Sequence, residues 1–148
     1  MKGWLLDTNV ISELRQPNCH PAVKAWSDRQ SPQSFYLSTV TIAEIRFGIE
    51  RVQDEMFRQE LIAWLNGTLR PWFSDRLLGV DEDVILRWRW LVEKGRQEHY
   101  TFSQPDLFIA AIASLHNLCV VTRNVGDFAK ADVPVFNPFV SLQTEHEP

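Results

Sequence analysis

Leu118-Cys119-Val120-Val121-Thr122 is an unbroken apolar run closed by a polar residue, and its reading decides the fold. A strand with one wet face alternates apolar and polar residues, whereas a run without alternation suits a central parallel strand covered on both faces. Just before it, Leu107, Phe108, Ile109, Ile112 and Leu115 are separated mainly by alanines, so a helix starting near Pro105 is apolar nearly all round and must be heavily buried. Asn117 is its expected stop. Beyond the run, Val133-Pro134-Val135-Phe136 reads as a further strand, placed at a sheet edge because proline cannot donate to a ladder.

The same alternation of strand and helix extends towards the N-terminus. Trp4-Leu5-Leu6 is a short buried strand ending at Asp7, followed by one or two helical turns over Val10 to Arg15. Pro21 fits the first turn of a helix with Val23 and Trp26 on one face. Phe35 to Val40 is rich in aromatic and β-branched residues and reads as a second strand running into a helix marked by Ile42, Ile45, Ile49 and Val52. Phe57, Leu61, Trp64 and Leu65 continue the helical spacing, which Gly67 and Pro71 are expected to break before the short apolar group Leu77-Leu78-Gly79-Val80. Val84, Ile85, Trp88, Leu91 and Val92 make the clearest amphipathic helix, and Trp90 falls off its apolar stripe. The pattern predicts an open α/β fold with a mostly parallel sheet flanked by helices, as one domain over residues 1–140 with a loose tail over 141–148.

Composition bounds the function. The 148 residues are 45% apolar and 23% charged with a formal charge of −4, an ordinary globular balance that excludes a disordered or strongly basic chain. No apolar run is long enough to span a bilayer, and the first residues lack a signal-peptide pattern, so a soluble, cytoplasmic protein is expected. Cys19 and Cys119 have no metal-type spacing and read as free thiols. Neither do the four histidines, His20, His99, His116 and His146, show ligand spacing, which argues against zinc. A glycine-rich phosphate loop, a nucleophile elbow and a dinucleotide fingerprint are all missing.

The acids carry the chemistry. In an open parallel sheet, ligands bind at the carboxyl edge of the strands. Asp7 ends the first strand, Glu44 follows the second, Asp127 follows the strand ending near Thr122, and Asp106 opens a crossover helix whose N-terminus lies at that same edge. Local readings compete. Thr41-x-x-Glu44 and Ser103-x-x-Asp106 have capping-box spacing, Asn124 could cap a turn holding Asp127, and Asp7 could be an Asx-turn or N-cap residue before Thr8-Asn9. Four carboxylates on one rim nevertheless repel one another unless a cation joins them, and an all-oxygen set suits Mg²⁺ or Mn²⁺. Such ions act most often on phosphate groups, which implies phosphodiester hydrolysis.

Several ordered pieces resemble the PIN-domain ribonucleases, and among them the VapC- and FitB-like toxins of bacterial toxin–antitoxin modules. These are Leu6-Asp7-Thr8-Asn9-Val10-Ile11-Ser12, Thr41-x-Ala43-Glu44-Ile45-x-x-Gly48-Ile49, Pro105-Asp106-Leu107-x-Ile109-Ala110-Ala111, Val121-Thr122-Arg123-Asn124-x-x-Asp127-Phe128 and Asn137-Pro138-Phe139. The resemblance implies a three-layer fold and an acidic quartet of Asp7, Glu44, Asp106 and Asp127, with Asp7 and Asp106 as direct Mg²⁺ ligands. Asn9 and Thr122 would be polar residues that position water or orient the acids. It also implies an RNA substrate, a VapB-like antitoxin as partner and a homodimer, with apolar surface around Ile49, Val52 and Phe57 as one interface candidate. Two alternatives stay open: a catalytically weak RNA- or protein-binding module on the same fold, and a metal-dependent nucleotide phosphohydrolase.

Overall fold

The computed structural model describes residues 1–140, so the expected tail over 141–148, which includes His146, lies outside the described residues. Its strands are β1 (Gly3–Leu6), β2 (Phe35–Ser38), β3 (Leu77–Leu78), β4 (Leu118–Val121) and β5 (Val135–Phe136). All pair in parallel, in the order β3-β2-β1-β4-β5. Every residue of β4 is buried, as its unbroken apolar run requires, and β5 with its preceding proline forms an edge.

The helices are α1 (Thr8–Arg15), α2 (Pro21–Arg29), α3 (Thr39–Glu50), α4 (Glu55–Trp64), α5 (Arg70–Trp72), α6 (Glu82–Gln97) and α7 (Gln104–His116). Because successive strand residues point to opposite faces, Leu5 and Val120 pack under α6 and α7 with Val84, Leu91, Leu107 and Ile112. Leu6 and Val121 point the other way, into a second core with Val10, Trp26, Ile42, Ile45 and Ile49 from α1 to α3. Helix, sheet and helix thus form three layers. Asn117 ends α7 in the left-handed conformation, φ 56° and ψ 48°, as its place in the sequence suggests. Both cysteines are free, and burial pushes the Cys119 thiol up to about 11.

Two expectations need correction. The second strand stops at Ser38 rather than Val40, because the Ser38 side chain accepts a hydrogen bond from the Thr41 N–H at 3.0 Å and starts α3 there. The expected break at Gly67 and Pro71 does not occur: a π-helical turn, Leu65–Leu69, carries α4 into α5. Leu65, Leu69 and Phe73 recur every four residues and are all buried, at 4%, 1% and 1% exposure. Each such side chain is worth about 1.5–3 kcal/mol on burial, more than the ~1 kcal/mol a helical glycine costs. Ile49 is a core residue, whereas Phe57 is 40% and Trp90 66% exposed.

Candidate active site

The strand order fixes where a site can form. From β1 the chain moves outward one way to β2 and β3, and β4 and β5 then lie on the other side of β1, so the order reverses between β1 and β4. At such a reversal the connections leave in opposite directions and open a crevice at the carboxyl ends of the two strands. Asp7 and Thr122 are the residues that follow the paired strand ends, Leu6 and Val121.

Asp7 is 6% exposed and tightly held. Its N–H donates to the Val121 carbonyl at 3.0 Å, which continues the ladder one step beyond the strands. Its Oδ1 accepts from the Thr8 N–H at 2.8 Å and so caps α1, while its Oδ2 accepts from the Thr122 hydroxyl at 2.9 Å and the Asn9 amide at 3.4 Å. Asp7 is therefore an N-cap residue and a member of the acidic rim at once. Asn9 ties the two strands together: its Nδ2 donates to Thr122 Oγ1 at 3.0 Å, and its Oδ1 accepts from the Arg123 N–H at 3.0 Å. Thr122 is fully buried, and its hydroxyl oxygen also accepts from the Asn124 N–H at 3.0 Å.

Glu44 joins the network from α3, where its Oε1 accepts from the Thr8 hydroxyl at 3.1 Å. The capping-box reading of Glu44 is overturned, since Ser38 and not Thr41 is the N-cap, which leaves Glu44 too deep in α3 to reach back to the helix start. Thr8, the bridge between α1 and α3, is the residue that sequence reasoning missed. Its only signal is its place directly after Asp7. Asp106 stands in the first turn of α7, where the helix dipole favours an acid. Asp127 lies in a 3₁₀ turn, Val125–Phe128, whose start Asn124 does not cap through its side chain.

The four acids feel one another. Burial pushes Asp106 up to about 6, with the charges of Asp7, Asp127 and Glu44 adding to it. Burial likewise raises Asp7, assisted by the Asp127 charge and resisted by its hydrogen bonds, and it raises Glu44, assisted by the Asp7 charge. Among the described residues, no Lys, Arg or His forms an ion pair with any of the four. No three carboxylates converge closely enough to ligate one ion directly among those residues. Uncompensated negative charge on an all-oxygen donor set fits a hard divalent cation held by one or two carboxylates and retaining water in its other positions.

Comparison with known proteins agrees with this geometry. A family model described as "PIN domain" matches residues 4–134. The chain is 37% identical over 135 residues to "Toxin FitB" of Neisseria gonorrhoeae, covering 91% of this chain and 97% of that protein. It is 34% identical over 135 residues to "VapC ribonuclease Y4jK" of Sinorhizobium fredii, covering 91% and 96%. The structure of FitAB bound to an IR36 DNA fragment superposes with a TM-score of 0.86 at 35% identity, covering 93% of this chain and 96% of that one. A parallel sheet in this order, an acid rim at its reversal point and a family match over nearly the whole described length make this chain a member of the PIN domain family.

Proposed function

We propose that this chain is an endoribonuclease that requires Mg²⁺ or Mn²⁺, hydrolyses RNA phosphodiester bonds and acts as the toxin of a toxin–antitoxin module. The observation that carries the reading is the gathering of Asp7, Glu44, Asp106 and Asp127 around the reversal of strand order, with no basic side chain among the described residues paired to them. Support for the substrate and the setting comes from relatives named as a ribonuclease and a toxin.

In this reading Asp7 and Asp106 hold the cation, and Glu44 and Asp127 complete the acidic set. A cation held there would supply charge neutralisation to a phosphodiester and acidity to a bound water. Thr122 and Asn9 keep Asp7 Oδ2 in one orientation, and the Thr8 hydroxyl does the same for Glu44. Fixing ligand orientation in this way sharpens the geometry the reaction needs.

The protein would work in the cytoplasm with residues 1–140 as one domain; among the described residues no helix is long and apolar enough to cross a membrane. Its partners would be a VapB-like antitoxin and a second copy of itself; the first of these is supported by the similar structure titled as FitAB bound to DNA. The test is cleavage of single-stranded RNA by purified protein with Mg²⁺, abolished by EDTA and by Asp7→Asn. Turnover of mononucleotides instead would favour a phosphohydrolase, and RNA binding without cleavage would favour a binding module. Either outcome overturns the proposal.

A further inference from the structure

Four carboxylates on one rim repel a polyanion, so an RNA strand brought there needs positive charge beside the acids. Thr122 has a cationic neighbour. Arg123 follows it in the chain, and the Arg123 N–H donates to Asn9 Oδ1, on the side chain that also holds Asp7 and Thr122. The backbone of Arg123 is thus pinned to the acid network. Its side chain lies over the Phe139 ring, with Cζ 3.8 Å from the ring centroid.

That ring is itself fixed. The Phe139 N–H donates to Asn137 Oδ1 at 2.9 Å, and the His20 ring meets Phe139 edge-on at 5.6 Å. Stacking engages the flat face of a guanidinium and leaves the N–H donors around its edge directed outwards. Some arginines spend those donors within the fold: Arg76 on the carbonyls of Pro32, Phe35 and Trp72, Arg96 on Glu93, and Arg87 on Ser114. What sets Arg123 apart from the other arginines with free donors is its backbone bond to the network that holds Asp7. Arg123 is exposed, and among the described residues its guanidinium has neither an ion pair nor a hydrogen-bond acceptor.

We propose that Arg123, held flat on Phe139, is a substrate-binding residue that takes a phosphodiester group of the RNA strand next to the one cleaved at the acid rim. The planar fork matches two phosphate oxygens, and a guanidinium already ordered by stacking loses little freedom on engaging them. A nucleobase is the poorer candidate, because the face of Phe139 on which it would stack is already covered. The inference rests on the nuclease reading above.

Steady-state cleavage of single-stranded RNA with Mg²⁺ tests it, using the full chain, Arg123→Ala, Arg123→Lys and Phe139→Leu. Arg123→Ala should raise KM about tenfold, leave kcat within about twofold, and reduce the slope of log kcat/KM against log salt by about 0.7, the loss of one phosphate contact on a single strand. Arg123→Lys should restore the slope but only part of KM, since an ammonium keeps the charge without the stacked fork. Phe139→Leu should raise KM with the slope unchanged. A merely structural role would lower the thermal midpoint instead, which Arg123→Ala should leave in place.

An active wild type whose Arg123→Ala variant keeps its KM and salt slope overturns this inference alone, and the Ala and Lys variants decide the matter even if Phe139→Leu fails to fold. Unchanged kinetics with weakened capture of the antitoxin would assign Arg123 to the protein partner and overturn it equally. A wild type that cleaves no RNA overturns the ribonuclease reading and this inference together.

Discussion

Asp106 shows at a single residue what the acid rim costs the metal-free protein. Its carboxyl is raised from 3.8 to about 6, chiefly by burial and then by its acidic neighbours. A carboxyl that binds its proton more tightly when folded favours the fold; the contribution is fully present below 3.8 and is lost as pH rises through about 6. In EDTA, the thermal midpoint of the wild type relative to Asp106→Asn should therefore fall as pH is raised across that window, as circular dichroism melts would record. Asp7 and Glu44 act in the same direction. A second prediction concerns Glu44, which has no cap to serve. Glu44→Gln should leave the metal-free midpoint level or raised while RNA cleavage falls about a hundredfold, as expected when a charge is removed from a metal site. A folded Gln variant with full activity would take Glu44 out of the set. That the four acids share one rim was legible because strand ends and helix starts can be read from apolar runs. The Thr8 link to Glu44 was not, since it depends on how α1 settles against α3, which neither helix's own pattern states.

At the scale of elements, the loop that leaves α6 folds back over the end of that helix, and Gly95 lies beneath it. A Cβ there would meet the Tyr100 carbonyl oxygen at 2.7 Å and the Phe102 ring at 3.0 Å. Alanine gains about 1 kcal/mol over glycine in a helix interior, but forcing an atom into packed backbone costs about 1–3 kcal/mol. Gly95→Ala should accordingly lower the urea midpoint, against the direction that helix propensity alone gives; an increase would show that the loop after α6 yields freely. Amphipathic periodicity made α6 legible and an apolar run bounded by Pro105 and Asn117 made α7 legible, whereas this close approach arises from a loop that returns across the helix. The run from α4 to α5 was misjudged for a related reason: Gly67 and Pro71 signal a stop locally, and the burial of Leu65, Leu69 and Phe73 decides otherwise.

For the whole molecule, the parallel sheet, the edge position of β5 and the two covered faces followed from the sequence, because burial on both faces leaves an unbroken apolar run. Strand order did not, since a crossover of given length can return on either side of β1. That order brings the acids together, and a ligand that binds only the folded state must stabilise it. Addition of Mg²⁺ or Mn²⁺ at about 10 mM should raise the thermal midpoint by a few degrees, and Asp7→Asn should abolish the increase. Unchanged melting of the wild type would count against a clustered site. The bond between Asp7 and Thr122 joins residues 115 positions apart, and Asp127 follows later still. A nascent chain that has not yet delivered β4 therefore holds acids but no centre: without Leu118 to Thr122 it lacks both a strand that pairs with β1 and the hydroxyl that fixes Asp7.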